Sequence, residues 1–316
     1  MNERVAVIGL GPAGIAAAIQ LHRCGLKPDI YEIRKEPGLL MNANLVENYP
    51  GFPDGIPGPK LMAAFLKQLE AYCPNIIRAS VTSLSRDHDK FLIATGKAKK
   101  AYDRVILATG TEPLELGIPV PRDRLFYEVT EVPARFKRIA VIGGGDAAFD
   151  YALNLKAKGK SPVIICRAAS PKCLWLLFER AMEASIPVLL GIRVLKITGK
   201  SGKASKAGMV GTADIVVKSG MAGKAGKVTG GTVKGSLSLH LSTSVTPLEV
   251  DCILAAIGRK PALGILEKGL AAKVARGIKV PGLYIAGDVH ADQYRQVAIA
   301  AGDGLKAAMA VTEALS

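Results

Sequence analysis

The stretch Val5-Ala-Val-Ile-Gly9-Leu-Gly11-Pro-Ala-Gly14 decides the fold of this chain. A short apolar run rich in valine and isoleucine ends in a glycine-rich turn, and an alanine-rich helical stretch follows it. This order predicts a strand, a tight turn and a helix. In such a unit Gly9 permits the tight turn, Gly11 lets backbone approach a pyrophosphate, and Gly14 lets helix and strand pack closely. The free N–H groups at the helix N-terminus favour phosphate at the same place.

A carboxylate supports the prediction of a dinucleotide site. Glu32 lies near the end of the next predicted strand, Pro28–Ile33. Its spacing from Gly9 is close to the roughly 20 residues at which an acid accepts hydrogen bonds from an adenosine ribose. The first unit therefore predicts an adenine dinucleotide site.

A second unit of this kind occurs near the middle of the chain, in Arg138-Ile-Ala-Val-Ile-Gly143-Gly-Gly145-Asp-Ala-Ala148. The strand that follows it ends without a carboxylate for a ribose 2′-hydroxyl. Arg167 and Lys172 stand instead where a 2′-phosphate is neutralised. This difference favours NADPH over NADH at the second unit, and NADH stays as the alternative.

Composition limits the class of protein. The chain has 316 residues, enough for two domains, and no apolar run approaches the roughly 18–20 residues of a membrane span. A strand begins within a few residues of Met1, so we expect no signal peptide and a cytoplasmic location. The cysteines are scattered, and we expect free thiols that are mostly buried, at positions 24, 73, 166, 173 and 252. The histidines are not clustered, so we expect no metal site.

The net charge of +15 favours an acidic partner or serves solubility. Much of the excess lies in the Lys-rich stretch 196–234. It has no aromatic residues or arginines for nucleic-acid readout, so we expect no nucleic-acid partner. Short apolar runs within it and just after it predict strands at Ile215–Val217, Val228–Val233 and Leu237–Leu241. Two interpretations stay open, a solvated meander and a dock for an acidic redox protein.

A third pattern lies near the C-terminus, where an apolar strand leads to Gly287-Asp288 and then to Tyr294-Arg295-Gln296 and an alanine-rich helix. An aspartate after a strand and a glycine can approach a polyol chain. A helix that begins near Arg295 directs its N-terminal dipole at an electron-rich group. From the residues alone, this pattern predicts a strand, a turn with an acid, and a helix.

In this order, these pieces resemble the low-molecular-weight thioredoxin reductases of bacteria and archaea. The matching segments are Val46-Glu-Asn48-Tyr-Pro-Gly51, Gly58-Pro-Lys-Leu-Met62, Ala108-Thr-Gly110, Gly143-Gly-Gly-Asp-Ala-Ala148, Ala256-Ile-Gly258-Arg-Lys-Pro261, Ala286-Gly-Asp288-Val and Tyr294-Arg-Gln296. The resemblance implies an α/β fold with two Rossmann-like, three-layer ββα domains, the second inserted in the first. It implies an FAD-binding domain in residues 1–115 and 249–316, an NAD(P)H-binding domain in 116–248, a homodimer, and a swivel of the inserted domain.

The resemblance also implies roles for individual residues. The FAD adenosine and pyrophosphate would be held by Gly9, Gly11, Pro12, Ala13, Gly14 and Glu32. The isoalloxazine ring would be contacted by Asn48, Arg295 and Gln296, with Leu39 in the place of a family glutamine. Other FAD contacts are Val81, Thr109, Gly110, Gly287 and Asp288. The NADPH side comprises Gly143, Gly145, Ala148, Arg167, Lys172 and Gly258.

The main departure from the family concerns sulfur. The family's Cys-x-x-Cys falls, counting back from Gly143, at Phe126-Tyr127-Glu128-Val129, which has no cysteine. Without a thiolate beside the flavin, the ordinary route to thioredoxin is excluded. We therefore predict an FAD-dependent NAD(P)H oxidoreductase that passes electrons to a ferredoxin, a flavodoxin, a quinone or a small molecule. Hydride transfer needs no side-chain acid or base, so no catalytic residue is named.

Two alternatives keep the fold but change the activity. In one, the nucleotide site has decayed and reduced ferredoxin is the electron donor. In the other, the flavoprotein is a non-enzymatic sensor or binding subunit. The intact Gly143, Gly145 and Ala148 argue against both.

Overall fold

The computed structural model describes residues 3–35, 37–96, 98–199, 236–243, 246–290 and 294–315. Most of the Lys-rich stretch, with the predicted strands Ile215–Val217 and Val228–Val233, lies outside these residues. The predicted strand Leu237–Leu241 is confirmed.

The chain contains both helices and strands, as the α/β prediction requires. The N-terminal part contains β1 (Val5–Ile8), α1 (Pro12–Arg23), β2 (Asp29–Tyr31), α2 (Gly58–Glu70), β3 (Asn75–Ile77), β4 (Ser83–Asp87), β5 (Lys90–Thr95), β6 (Ala98–Tyr102), β7 (Arg104–Leu107) and β8 (Thr111–Pro113). The middle part contains β9 (Leu125–Phe126), β10 (Arg138–Ile142), α3 (Asp146–Ala157), β11 (Ser161–Cys166), α4 (Trp175–Glu183), β12 (Val188–Leu190), β13 (Val194–Gly199), β14 (Leu237–Leu241), β15 (Leu248–Val250) and β16 (Cys252–Ala255). The C-terminal part contains β17 (Arg259–Pro261), α5 (Lys268–Ala275), β18 (Leu283–Ile285) and α6 (Val297–Glu313).

The chain forms two compact units, and the second is inserted in the first. The first unit consists of Met1–Glu112 and Arg259–Ser316, and the second of Pro113–Gly258. Strand β8 pairs with β17 where the chain leaves the first unit and returns to it.

The first unit has three layers. Its parallel sheet has the strand order β18-β7-β1-β2-β3. Along β1, Val5 and Val7 pack into the apolar cluster that contains residues of α1, α2 and α6. The intervening Ala6 and Ile8 pack into a second cluster, which contains residues of the antiparallel sheet β4-β5-β6. Because neighbouring side chains of a strand point to opposite faces, helices cover one face of this sheet and an antiparallel sheet covers the other.

The second unit repeats this plan. Its parallel sheet has the order β12-β11-β10-β16-β9, and β13-β14-β15 form an antiparallel sheet. Along β10, Ile139 and Val141 pack with residues of α3. Ala140 and Ile142 pack with Leu237 and Leu239 of the antiparallel sheet. Each unit is therefore a Rossmann-like ββα domain, as predicted.

The units differ from the predicted domain boundaries at residues 249–258. This segment was assigned with the C-terminal part, but the structure includes it in the second unit. The reason is strand pairing, because β16 lies parallel to β10 with Ala140 opposite Ile253. Which cofactor each unit binds stays a prediction.

The expectation of mostly buried thiols is wrong for Cys24 and Cys73, which are exposed. Cys24 directly follows the last residue of α1, and Cys73 adopts a positive φ of 47° after α2. Both therefore lie in turns at helix ends. Cys166 and Cys252 are buried as expected, and Cys173 is half-buried.

Candidate functional site

The glycine-rich turn of the first unit is built so that two of its positions accept glycine alone. Gly9 has φ +99°, and a Cβ there would lie 2.3 Å from the carbonyl oxygen of Ala108. A Cβ at Gly14 would lie 1.9 Å from the carbonyl oxygen of Gly9. Gly11 differs, because a Cβ there would meet nothing within 4 Å. Protein packing therefore explains Gly9 and Gly14, whereas Gly11 leaves open space at the N-terminus of α1.

Two further residues border this open space. Leu10 donates its backbone N–H to Oε2 of Glu32 at 3.1 Å, and Arg34 donates to Oε1 at 2.8 Å. The carboxylate of Glu32 is thereby fixed beside the turn, and each oxygen keeps capacity to accept another bond. On the other side, a Cβ at Gly38 would lie 3.3 Å from Cα of Gly11. Gly38 was not predicted, but it precedes the predicted Leu39, which begins a short 3₁₀ helix.

The C-terminal segment reaches the same helix through small residues. Gly287 has φ +76°, and a Cβ there would lie 2.7 Å from Cβ of Ala13. A Cβ at Gly304 of α6 would lie 2.0 Å from the carbonyl oxygen of Ala13. Helices α1 and α6 therefore touch backbone to backbone. This contact brings Gly287 and Asp288 against the beginning of α1.

Asp288 is the predicted acid of this segment. Burial raises the pKa of its carboxyl group, while the charges of Arg295 and Arg259 oppose that rise. Arg259 belongs to one of the segments that match the family, but it was not predicted as a site residue. It donates from Nε to the hydroxyl of Thr111 at 2.9 Å and so lies beside β8.

Residues distant in sequence meet around Arg295. Its Nη1 donates to the carbonyl oxygen of Arg259 at 3.0 Å. Its Nε is buried and has no hydrogen-bond partner among the described residues. The neighbouring Gln296 accepts from Nδ2 of Asn48 at 2.9 Å. The structure thus joins Asn48, Arg295 and Gln296 in one region, together with a buried donor that pairs with no described residue.

The other predicted residues of the first unit are connected less directly. Thr109 and Gly110 follow β7, and the hydroxyl of Thr109 donates to the carbonyl oxygen of Ala262 at 2.9 Å. Val81 is half-buried and packs against the apolar cluster beneath the antiparallel sheet. No described contact joins Val81 to the rest of the predicted set.

The second glycine-rich turn repeats the geometry of the first. A Cβ at Gly143 would lie 2.3 Å from the carbonyl oxygen of Ala256 and 3.0 Å from Cβ of Ala148. Position 143 therefore has no room for a side chain, and Ala148 packs against it. Gly145 caps the N-terminus of α3, and Gly258 has φ +117° just after β16.

The loop after β11 is held against this turn. Lys172 donates its backbone N–H to the carbonyl oxygen of Gly144 at 2.7 Å. Leu174 donates its N–H to Oδ1 of Asp146 at 2.8 Å, a contact that the sequence did not predict. The side chains of Arg167 and Lys172 are exposed around this loop. The structure therefore brings the backbone of Lys172 to the turn before α3, and Arg167 directly follows β11.

The segment Phe126–Val129, where the resemblance predicts the family's dithiol, contains a structural motif. Glu128 is buried, and its side chain and that of Glu131 form a capping box around a short 3₁₀ helix, Val129–Glu131. The ring of Phe126 packs on that of Phe136, with centroids 6.1 Å apart. The hydroxyl of Tyr127 accepts from the backbone N–H of Leu116 at 3.4 Å. Capping, apolar packing and this hydrogen bond thus account for the side chains of the segment.

Two glycine-rich turns, each at the N-terminus of a helix in its own ββα domain, define a two-dinucleotide oxidoreductase. The chain matches the family described as pyridine nucleotide-disulphide oxidoreductase over residues 3–304, and it belongs to this family. It is a thioredoxin reductase-like, FAD-dependent NAD(P)H oxidoreductase, and members of this group use FAD and NADPH.

The similarity to known proteins extends over nearly the whole chain. A thioredoxin reductase of Chlamydia trachomatis serovar D is 28% identical, with 98% of this chain and 97% of that protein covered. A mitochondrial thioredoxin reductase 1 of Arabidopsis thaliana is 30% identical over 98% of this chain and 82% of that protein. Among solved structures, the thioredoxin reductase of T. acidophilum is 25% identical with a TM-score of 0.77, and 99% of each chain is covered. In the described part of the chain no helix has the length and apolarity needed to cross a bilayer.

Proposed function

We propose that the first unit holds FAD and the second holds NADPH. The open space at Gly11, bordered by Glu32 and the N-terminus of α1, supports a pyrophosphate and ribose site in the first unit. The buried Nε of Arg295, which has no partner within the described part of the chain, supports a polar ring edge beside Asn48 and Gln296. FAD, when bound, supplies the acceptor for the two electrons of a hydride from the nicotinamide.

In this proposal the chain's own residues bind and orient. Backbone N–H groups of α1 face the pyrophosphate, and Glu32 accepts from the ribose hydroxyls. Asp288 accepts from the ribityl chain. In the second unit the N-terminus of α3 faces the other pyrophosphate, and Arg167 and Lys172 pair with a 2′-phosphate, which favours NADPH over NADH.

We further propose that the electron acceptor is not thioredoxin. One observation carries this proposal: the segment Phe126–Val129 contains no sulfur, and its side chains serve capping and packing. An acceptor then has to meet the flavin directly. A ferredoxin, a flavodoxin, a quinone and a small molecule are the candidates. The net charge of +15 supports an acidic carrier among them. We place the protein in the cytoplasm as a homodimer.

Anaerobic rapid mixing of the FAD-loaded protein with NADPH or NADH tests the first proposal. NADPH should bleach the flavin absorbance faster than NADH. Failure of both nucleotides to bleach it would contradict the proposal and favour ferredoxin as donor or a non-enzymatic role.

A steady-state assay with a panel of acceptors tests the second proposal. Ferricyanide and a quinone should be reduced, and thioredoxin should not. Transfer to ferredoxin or flavodoxin should slow steeply as salt screens the attraction between opposite charges. Robust thioredoxin reduction would refute the proposal. The Cys173→Ser variant is the control for a role of this thiol. It removes the half-buried thiol beside Lys172, and ferricyanide reduction should be unchanged.

A further inference from the structure

A cavity opens at the edge of the second unit where its central strand begins. Its volume is about 330 Å³, and it is lined by Val129, Thr130, Val132, Ala134, Lys137, Leu155, Lys158 and Lys160. Strand β10 begins at Arg138, and α3 ends at Ala157. The cavity therefore lies at the opposite end of both elements from the glycine-rich turn, and it is separate from the proposed nucleotide site.

Lysine side chains give the cavity its charge, and no acidic residue is among its lining residues. Lys160 is fixed in its wall, because Nζ donates to the carbonyl oxygens of Pro133 at 3.2 Å, Ala134 at 2.7 Å and Phe136 at 2.7 Å. Burial lowers the pKa of Lys160, and the charges of Lys137 and Lys158 lower it further. The ammonium group of Lys160 has three protons, and the three carbonyl oxygens accept all of them. Lys160 therefore contributes charge to the cavity but no free donor.

Lys137 and Lys158 are different. Across the described residues neither ammonium group has an ion pair or a side-chain hydrogen bond. Burial also lowers the pKa of Lys158. Both lysines are exposed and border one cavity, so both ammonium groups are accessible to an anion bound there.

The remaining walls are mostly apolar. Val129 and Leu155 are buried, and Val132 and Ala134 complete this surface. The volume falls in the range of about 300–1,000 Å³ that is typical of small-molecule sites. A purely inorganic anion would make no apolar contact with these walls. A neutral apolar molecule would make no ion pair with the ammonium groups.

We propose that this cavity binds a small organic anion with an apolar body. Its single anionic head group pairs with Lys137 and Lys158, and its body packs on Val129, Val132 and Leu155. The proposal is separate from the nucleotide assignments, since it uses none of their residues, and it shares only Val129 with the segment Phe126–Val129.

Isothermal titration of the FAD-loaded protein with sodium hexanoate tests the proposal. Hexanoate should bind at one site per chain and at least about tenfold more tightly than acetate, because its methylenes are removed from water. Lys158→Met and Lys137→Met keep most of the side-chain stem, and each should weaken hexanoate binding about tenfold. Ala134→Phe should also weaken it by filling the cavity without changing charge.

Lys156→Met is the matched control, because Lys156 is exposed in the last turn of α3 but does not line the cavity. Hexanoate affinity should be unchanged in this variant. Equal affinity for hexanoate, acetate and inorganic phosphate would overturn the proposal, as would hexanoate binding that survives both lysine substitutions. Binding of a glutamate-rich peptide without binding of hexanoate would identify a protein-docking surface and overturn it as well. Unchanged circular dichroism and flavin content show that each variant is folded.

Discussion

Replacement of Gly304 by alanine should break the contact between α1 and α6. A Cβ at this position would lie 2.0 Å from the carbonyl oxygen of Ala13 and 2.8 Å from its carbonyl carbon. An ordinary contact is about 3.5 Å, so the two helices must separate by roughly 1.5 Å. Both obstacles are backbone atoms near the start of α1, so no side-chain rotation relieves the clash.

The expected cost follows from two opposing effects. Overpacking a close contact costs about 1–3 kcal/mol. The higher helix propensity of alanine would by itself stabilise the protein by about 1 kcal/mol relative to glycine. The clash therefore reduces this stabilisation or turns it into a net loss. The same shift moves the N-terminus of α1 away from the proposed pyrophosphate position, and each 1.4 kcal/mol of lost contact is about tenfold in FAD affinity. Urea unfolding and flavin absorbance per protein measure the two effects.

Gly302→Ala is the matched control for this experiment. Gly302 lies on the same helix, but a Cβ there would meet nothing within 4 Å. This variant gains the helix propensity without the clash, so it should be more stable than the wild type by up to about 1 kcal/mol and keep its FAD. The difference between the two variants isolates the helix contact. If Gly304→Ala has the same free energy of unfolding and the same flavin content as Gly302→Ala, the close packing of α1 on α6 is refuted.

Other substitutions test other parts of the molecule. Gly11→Leu should give protein that purifies without flavin, measured by absorbance per chain, because its side chain fills the open space at the N-terminus of α1; full FAD content would contradict this. Arg167→Ala should weaken NADPH binding about tenfold by loss of a charge-assisted contact and leave NADH binding unchanged, as measured by titration; equal losses for both nucleotides would contradict it. Burial alone would raise the pKa of Asp251, but hydrogen bonds from the backbone and guanidinium of Arg138 hold it below its ordinary value. Asp251→Asn should therefore lower the free energy of unfolding at pH 7 by about 3–5 kcal/mol. In the wild type the part of the stability that comes from the lowered pKa of Asp251 should disappear as the pH falls from about 3.9 through the lower folded pKa. An unchanged urea midpoint at pH 7 in the variant would refute the pairing.

The glycine-rich turns could be predicted from sequence because their constraints are local. Gly9 and Gly14 are five residues apart, and the clash that forbids a side chain at Gly14 is with Gly9 itself. The helix predicted after this turn is confirmed and runs over Pro12–Arg23. Strand β2 is shorter than predicted, Asp29–Tyr31, so Glu32 follows the strand.

Contacts between distant segments were accessible only through the family resemblance or not at all. The hydrogen bond between Asn48 and Gln296 joins residues 248 positions apart, and no periodicity relates them. The cavity beside Lys137 and Lys158 is built from a 3₁₀ helix, a strand start and a helix end, which converge only after the parallel sheet forms. Gly38 gave no signal of its own, because its function depends on the neighbouring backbone of Gly11.

For the segment Phe126–Val129, the structure adds a reason for the absence of cysteine that the sequence alone does not give. Counting back from Gly143 shows only that sulfur is missing. The structure adds that Phe126 packs on Phe136 and that Val129 belongs to the apolar cluster of the second unit. Two thiols at these positions would remove an aromatic contact and buried apolar volume, so the dithiol cannot be restored without loss of packing. This segment has a structural role in the second unit, which is consistent with electrons leaving the flavin by a path that involves no cysteine.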